Sequence, residues 1–567
     1  MLRTCRVLRS QAGSSTGGWQ PLSFDGGAFH LKGTGELTRA LLVLRLCAWP
    51  PLVTHGLVLQ AWSQRLLGSR LSGAFLRASF YGQFVAGETA EEVKGCVQQL
   101  QTLGLRPLLA VPIEEEPDSA VKAGEAWYEG NLSAMLRCVD MSRGVLETPS
   151  PTGNILMQLK MTALTSTRLC KELTSWIRKP GASLELSPER LAEAMDSGQD
   201  LQISCLNAQQ NQHLQASLSR LHRVVQHARA QRVRILVDAE YTFLNPALCL
   251  LVDALALRWN GPGEGGPWVW NTYQAYLKDT HERLRRAAEA ADRAGRAFGV
   301  KLVRGAYLDK EREVARHQGT EDPIQPNYEA TNQSYSRCLE LMLTQVSHRG
   351  PMCHLMVASH NEESVHHATK RMWDLGIPLD GPVCFGQLLG MCDHVSLALG
   401  QAGYAVYKSI PYGSLEEVIP YLIRRAQENR SVLQGARKEQ TLLSQELKRR
   451  LLRRGLRRKR LLQAQTWQAA TGAHAPLMPE RECLGHVAGT WPQTPPRTRR
   501  FPEPQSESPT LRPSPSLQSL PQGLCTSPSP RTRTILLPNT APPSLETPVL
   551  SVPTLRPFFR QTPSLNP

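Results

Sequence analysis

The sequence predicts an α/β protein, a (β/α)8 TIM-type barrel with an N-terminal helical region and a disordered C-terminal tail. Eight short β-rich apolar runs alternate with longer helical stretches between residues 100 and 436, a span close to the roughly 250 residues typical of this barrel. With 567 residues, 41% of them apolar, the chain is too long for one small module and too apolar to be disordered throughout. Count and alternation leave a doubly wound sheet as the alternative fold.

The predicted strands are short apolar runs, most of which end at polar residues. They are Pro107–Val111, Ile155–Lys160, Val233–Asp238, Trp268–Tyr273, Gly299–Arg304, Cys353–Ser359, Pro382–Gln387 and Ala405–Ile410. Helices are predicted between them over Ala126–Arg143, Ala208–Arg229, Thr280–Phe298, Tyr328–Ser347 and Glu362–Leu375. Before the barrel, residues 25–99 are predicted to be helical, with amphipathic helices over Leu37–Leu67.

The two ends of the chain differ in composition from the barrel. Residues 1–24 carry three arginines and no acid before Asp25, which is typical of a mitochondrial transit peptide; an ordinary frayed terminus is the alternative. After the barrel, residues 437–470 are predicted to form a basic helical segment. Residues 471–567 hold 21 of the 41 prolines, and a segment of this composition cannot offset its ordering entropy by burial, so we expect it to be disordered.

Charge and cysteine content exclude several classes of function. The net charge of +16 comes from the two ends of the chain, and residues 25–436 are near neutral, so no nucleic-acid-binding face is predicted. The 13 cysteines include no C-x-x-C pair, and His360, His366 and His367 have no third ligand at metal-binding spacing, so no metal site is predicted. The glycine-rich residues 261–266 precede a strand, whereas a dinucleotide-binding loop follows one.

Polar residues stand at the carboxyl ends of most predicted strands, where the active site of a (β/α)8 barrel lies. They include Lys160, Asp238, Gln274, Arg304, Tyr307, His360, Lys408 and Ser409. Each alone is compatible with a solvated strand end, whereas together they would surround one barrel mouth. After the last strand, helical spacing places Tyr421, Arg424, Arg425 and Glu428 on one face. Two guanidinium groups there suit a substrate carboxylate, with a surface stripe as the alternative.

Six segments of the chain resemble the proline dehydrogenase family. They are LVDAE (236–240), YQAY (273–276), KLVRGAYLDKER (301–312), VASHN (357–361), CFGQLLGM (384–391) and PYLIRRAQEN (420–429). The resemblance covers roughly residues 100–436 in the family's order, and it is strongest to the mitochondrial branch that oxidises hydroxyproline. It implies a (β/α)8 barrel that binds FAD and oxidises a cyclic secondary amine.

The resemblance also implies roles for individual positions. The implied substrate-binding residues are Lys160, Leu302, Ser409, Tyr421, Arg424 and Arg425, and the implied catalytic residues are Asp238, Lys301 and Tyr307. The implied FAD-binding residues are Gln274, Val303, Arg304, Gly305, Ala306, His360 and Glu428. Asp238 is expected near Lys160, where a carboxylate would orient that lysine or assist loss of the amine proton. Lys301 stands where bacterial members carry arginine, so the cation is kept and the forked donor is lost.

Ser409 bears on the substrate, because proline-specific members of the family place a tyrosine there that closes on the C4 side of the ring. A serine leaves room and a hydrogen-bonding partner for a 4-hydroxyl group, which favours trans-4-hydroxy-L-proline as substrate and 1-pyrroline-3-hydroxy-5-carboxylate as product. Discrimination by one hydroxyl is on the order of 100-fold or less, so weaker oxidation of L-proline is expected. The alternatives are an L-proline dehydrogenase proper and a non-catalytic binding protein that uses the basic segment and the tail.

For the electron acceptor and the location, the resemblance implies ubiquinone and the matrix side of the mitochondrial inner membrane. Peripheral contact with that membrane is expected through the apolar N-terminal helices or the basic segment.

Overall fold

The computed structural model describes residues 19–113, 124–145, 154–179, 185–198, 201–263, 265–428 and 437–471. Most of the predicted transit peptide, and the predicted tail after residue 471, lie outside these residues. In the described part, eight parallel strands close into one barrel in chain order, with β8 pairing back to β1. The strands are β1 Arg106–Ala110, β2 Ile155–Leu159, β3 Val233–Val237, β4 Val269–Gln274, β5 Phe298–Val303, β6 Cys353–Ala358, β7 Val383–Leu388 and β8 Val406–Pro411. The predicted (β/α)8 barrel is therefore confirmed, and the doubly wound alternative is excluded.

Helices precede the barrel, separate its strands and follow the last one. Those before β1 are α1 Thr34–Cys47, α2 Pro50–Thr54, α3 Gly56–Leu76, α4 Gly82–Phe84 and α5 Ala90–Thr102. Those within and after the barrel are α6 Glu125–Gly144, α7 Thr167–Ile177, α8 Pro188–Ser197, α9 Ala208–Ala230, α10 Asn245–Trp259, α11 Thr280–Arg293, α12 Leu308–Gln318, α13 Tyr328–Arg349, α14 Glu362–Asp374, α15 Asp393–Gln401, α16 Leu415–Glu428 and α17 Arg437–Thr471.

Local sequence signals explain where several of these helices begin and end. Asn207 caps the start of α9, where its side chain accepts a hydrogen bond from the backbone N–H of Gln210. The helix predicted over residues 280–298 was too long, because α11 ends at Arg293. Gly295 then takes a positive φ of 59°, and the chain enters β5 at Phe298.

Two apolar layers hold the barrel together. Inside it, a cluster of buried side chains fills the space below the mouth: Leu108, Leu156, Leu236, Trp270, Met356, Cys384, Ala405 and Tyr407. Gly299 makes room for the largest of them, since a Cβ at that position would lie 2.5 Å from the Trp270 ring. A larger core lies between the strands and the surrounding helices. The barrel is therefore closed below, and only its upper end is open to a substrate.

The N-terminal helices α1, α2 and α3 pack against the two helices that follow the last strand, α16 and α17. The short helix α2 and the longer α3 pack against α16, which follows the last strand. The helix α17 packs against α1, and its Leu443 is only 1% exposed, so the first turns of the basic segment belong to the folded body. Among the described residues, no helix combines the length and apolarity needed to cross a membrane.

Candidate active site

A cavity of about 1130 Å³ opens at the carboxyl ends of the strands. Each of the eight strands contributes a residue to its wall, either from the strand itself or from the residues directly after it. The predicted site residues that line it are Lys160, Asp238, Gln274, Lys301, Val303, Arg304, Gly305, Ala306, Tyr307, His360, Ser409 and Tyr421. The carboxyl-end rule therefore brings together side chains as far apart in sequence as Lys160 and Ser409, about 250 residues.

Two residues that the sequence placed at the barrel mouth, Leu302 and Lys408, do not line this cavity. Leu302 is fully buried in the core between strands and helices, because its neighbours Lys301 and Val303 face the cavity and side chains alternate along a strand. Lys408 is 1% exposed and also lies away from the cavity, where it donates to the backbone oxygen of Met391 and pairs with Asp393.

The carboxylate clamp predicted on the last barrel helix is described only in part. Tyr421 lines the cavity, so α16 forms part of the wall. The side chains of Arg424, Arg425 and Glu428 lie outside the described part of the chain. Their proposed contacts with substrate and cofactor stay predictions.

Asp238 forms an ion pair with Lys301, and it also lies within electrostatic reach of Lys160, the lysine that the sequence suggested. Its Oδ1 lies 2.6 Å from the Nζ of Lys301, whereas Lys160 donates to the hydroxyl of Tyr307 at 3.1 Å. Burial disfavours the ionised carboxylate, but the positive charges of Lys301 and Lys160 outweigh this effect and lower the pKa of Asp238. The cavity thus holds an ionised carboxylate at neutral pH.

Gln158, which the sequence analysis missed, connects this carboxylate to Ser409. The hydroxyl of Ser409 donates to Oε1 of Gln158 at 2.5 Å, and the amide of Gln158 donates to Asp238 at 3.3 Å. The signal was present in the sequence, because Gln158 precedes Lys160 by two residues in an otherwise apolar run. Residues two apart on a strand share a face, so Gln158 could have been predicted to point into the barrel together with Lys160.

One wall of the cavity carries Arg304 and His360, whose side chains are held in place by hydrogen bonds. The guanidinium of Arg304 donates to Asn332 at 2.5 Å and to Ser364 at 2.8 Å, which holds the charge in place. Burial, reinforced by the charge of Lys408, lowers the pKa of His360 to about 3. The ring is therefore neutral, and because its Nε2 accepts from the backbone N–H of Leu388, its proton is on Nδ1.

The surroundings of Gly305 and Gln274, on the same wall, restrict which side chains can occupy these two positions. Gly305 has a φ of 131°, and a Cβ there would lie 2.3 Å from the ring of Tyr276, so no larger residue fits. The amide of Gln274 is already engaged, because its Oε1 accepts from Asn245 and its Nε2 donates to the backbone oxygen of Glu240. One amide hydrogen of Gln274 is left for a ligand.

The deciding observation is a match between this barrel and a known family. The family model for proline dehydrogenase matches residues 149–438, which include β2 to β8, α16 and each of the predicted site residues. The chain belongs to the proline dehydrogenase family.

Individual relatives in the proline dehydrogenase family match over most of the chain. Hydroxyproline dehydrogenase of Bos taurus is 88% identical over 457 residues, which cover 81% of this chain and 99% of the relative. Hydroxyproline dehydrogenase of Homo sapiens is 85% identical and covers 80% of this chain and 98% of the relative. Proline dehydrogenase 1, mitochondrial, of Homo sapiens is 32% identical, over 75% of this chain and 88% of that protein.

The far side of the cavity is apolar, which sequence reasoning also missed. It is formed by side chains of α2, α3, the π-helical turn Arg77–Tyr81, α4 and α16, namely Leu52, Val53, Leu59, Phe75, Leu76, Phe80, Phe84, Leu422 and Ile423. The six segments that resemble proline dehydrogenases include none of the N-terminal residues in this wall. Only the docking of α2 and α3 against α16 reveals that they belong to the cavity.

Proposed function

We propose that the chain oxidises trans-4-hydroxy-L-proline to 1-pyrroline-3-hydroxy-5-carboxylate, the first step of hydroxyproline breakdown, and oxidises L-proline more weakly. The observation that carries the proposal is Ser409, which lines the cavity and is one residue, Gln158, removed from the ionised Asp238. A small hydroxyl residue leaves space for a substituted ring and offers it a hydrogen-bonding partner. The relatives of 85–88% identity are named hydroxyproline dehydrogenases, which agrees with this substrate.

Substrate binding is assigned to the cations of the cavity and to Asp238. Lys160, held by Tyr307, is placed to bind the carboxylate of the imino acid, and we assign Arg424 and Arg425 to the same group. Asp238 is ionised and accepts a hydrogen bond from the secondary ammonium, which orients the ring carbon beside the nitrogen. Lys301 keeps Asp238 ionised by direct pairing.

We propose FAD as the cofactor, because the residues present fit its chemistry. The cavity of about 1130 Å³ exceeds the roughly 300–1,000 Å³ of a common ligand pocket and is far larger than an imino acid requires. Arg304 and the neutral His360 would hold the flavin, and the charge of Arg304 is fixed in place by Asn332 and Ser364. At Gly305, which packs closely against Tyr276, no side chain would separate the flavin from the backbone. When bound, FAD supplies the two-electron oxidant for the C–N bond.

We further propose that the electrons pass to ubiquinone at the matrix side of the mitochondrial inner membrane, with which the chain makes peripheral contact. The mitochondrial names of the 32% identical proline dehydrogenases of Homo sapiens and Bos taurus support this location. The arginine-rich, acid-free start of the chain supports it as well.

The test is the absorbance spectrum of the purified full-length chain before and after anaerobic addition of each imino acid. We expect an oxidised-flavin band that is lost faster with trans-4-hydroxy-L-proline than with L-proline. Faster loss with L-proline would make the chain a proline dehydrogenase proper. Purification without flavin, and no gain of activity on adding FAD, would instead support a non-catalytic binding protein.

A further inference from the structure

The helix α3 folds back on itself at Gly68. This residue has a φ of 75° and a ψ of 160°, which no helical residue adopts. The hydroxyl oxygens of Ser63 and Ser72 lie 2.8 Å apart, although nine residues of straight helix would separate them by about 13.5 Å along the axis. The element is therefore a helical hairpin, and we call its turn, residues 65–71, the α3 tip.

The α3 tip and its flanks expose large apolar side chains. Leu66 is 74% exposed, Leu67 54% and Leu71 66%, and Trp62 and Phe75 on either side are 62% and 57% exposed. Single exposed leucines are common on soluble proteins, but a contiguous group at a protruding turn indicates a binding surface.

The charge around the α3 tip selects the kind of partner. Residues 37–87 contain five arginines and not one aspartate or glutamate. Two of these arginines, Arg65 and Arg70, belong to the tip and are exposed. Leucines between arginines suit an anionic bilayer, where apolar side chains enter the lipid and guanidinium groups stay at the headgroups. A second copy of the chain fits less well, because a twofold contact would place these arginines against each other.

The other side of α3 is continuous with the active-site cavity. Leu59, Ser63, Phe75 and Leu76 line the cavity wall, and Phe75 also belongs to the exposed face. A zwitterionic imino acid gains nothing from an apolar wall, whereas a lipid-soluble molecule does. The wall therefore offers a lipophilic ligand a continuous apolar path from the surface to the cavity.

We propose that the α3 tip docks on an anionic lipid bilayer, and that the apolar wall behind it admits a lipophilic electron acceptor from that bilayer to the cavity. The second part rests on the proposed function, in which a quinone accepts the electrons. The first part stands on the tip alone.

The first test is flotation of the full-length chain with vesicles of phosphatidylcholine, with and without about one-quarter phosphatidylglycerol. We expect binding to the anionic vesicles that weakens as salt is added. The double variant Leu66→Ser and Leu71→Ser should bind at least about ten-fold more weakly, since two exposed leucines lose their insertion. Both side chains are exposed and outside the cavity wall, so the fold should be retained.

The matched control is the double variant Leu451→Ser and Leu452→Ser on α17. These leucines are 64% and 70% exposed and also lie in a basic helix. Equal loss of vesicle binding in both double variants would overturn the assignment to α3. The assignment would also be overturned if the wild-type chain does not bind anionic vesicles. It would likewise be overturned if the wild-type chain is a dimer and the α3 variant is a monomer.

The second test separates this inference from the proposed function. Hydroxyproline-dependent reduction is measured with a water-soluble dye and with a long-chain quinone in the anionic vesicles. The α3 variant should keep its rate with the dye and lose at least about ten-fold of its rate with the quinone. Equal rates with the quinone in variant and wild type would overturn the acceptor route. Absence of dye reduction in the wild type would instead refute the proposed function. Docking of the α3 tip would then still be tested by vesicle binding.

Discussion

At the scale of single residues, Gln158 connects Ser409, which we propose sets the substrate preference, to Asp238, the proposed catalytic carboxylate. Its amide accepts from Ser409 and donates to Asp238, so a change at Ser409 is felt one hydrogen bond away from the carboxylate. Ser409, the proposed partner of the 4-hydroxyl group, therefore belongs to the same hydrogen-bonded network as Asp238.

Replacing Ser409 by tyrosine should reverse the preference between the two imino acids. The larger ring crowds the C4 side, so kcat/KM for trans-4-hydroxy-L-proline should fall by roughly 10- to 100-fold while that for L-proline changes less. Steady-state kinetics with both substrates measure this. Ser409→Ala is the control, because it removes the hydroxyl without adding bulk. Unchanged preference in the tyrosine variant would contradict the assignment of Ser409.

The ion pair between Lys301 and Asp238 gives a prediction about pH. The two lysines hold the pKa of Asp238 below its usual value, so its ionised form stabilises the fold at neutral pH, and this contribution is lost as pH falls through the folded-state pKa. In Lys301→Met the pKa of Asp238 should rise, because burial is then opposed by fewer charges.

The measurement is the pH profile of kcat/KM, whose acidic limb should move to higher pH in Lys301→Met. Lys301→Arg serves as the control, since it retains the charge. An acidic limb at the same pH in all three proteins would show that Asp238 does not titrate in the reaction.

At the scale of elements, α17 supplies a cap to the start of α15. Glu439 is 4% exposed, and its carboxylate accepts the backbone N–H groups of Cys392 and Asp393, each at 2.8 Å. These N–H groups have no partner within α15, and an anion there also suits the helix dipole. Leu388, the last residue of β7, comes just before the loop that leads to these N–H groups, and its own N–H donates to His360 in the cavity. The basic segment is thereby coupled to the cavity wall that carries His360.

Replacing Glu439 by alanine should lower the free energy of unfolding by about 2–4 kcal/mol, because two buried N–H groups lose their acceptor. Flavin should also dissociate more readily, since the loop next to His360 loosens. Urea denaturation and flavin titration of the full-length chain measure both effects. Glu446→Ala on the same helix breaks pairs with Arg449 and Arg450 but removes no acceptor of a backbone N–H, so it should cost less than Glu439→Ala and leave flavin binding unchanged.

The strands could be read from the sequence, and this coupling could not. Each strand was visible because buried parallel strands are short apolar runs, and the carboxyl-end rule then placed Asp238, Arg304 and His360 without any contact being known. Glu439 looked like one acid in a basic segment, because its partners lie 46 and 47 residues away and are chosen by tertiary packing. The break of α3 at Gly68 was hidden for a related reason, since a glycine inside a helical pattern is often tolerated.

At the scale of the whole molecule, the folded body includes α17, and the sequence after it is predicted to be dispensable. A chain truncated after Thr471 should keep its thermal midpoint and its turnover, because residues 472–567 have a composition that does not form a core. A chain truncated after residue 436 should unfold at much lower temperature, because Leu443 and Glu439 are removed from buried positions. Calorimetry and the flavin assay on both truncations check this; equal behaviour of the two would contradict it.

The packing of α17 against the first helices also sets a timetable for biosynthesis. Arg450 donates to the backbone oxygen of Phe29, a residue 421 positions earlier, and Gln440 donates to that of Leu44, 396 positions earlier. At about 5–20 residues per second, the two sides of this contact leave the ribosome roughly 20–80 s apart. Most barrel strands meet a neighbour far sooner, but the opening helices stay without their final partner until about 400 further residues have been synthesised. Chaperones that protect nascent chains should therefore be found on the first hundred residues.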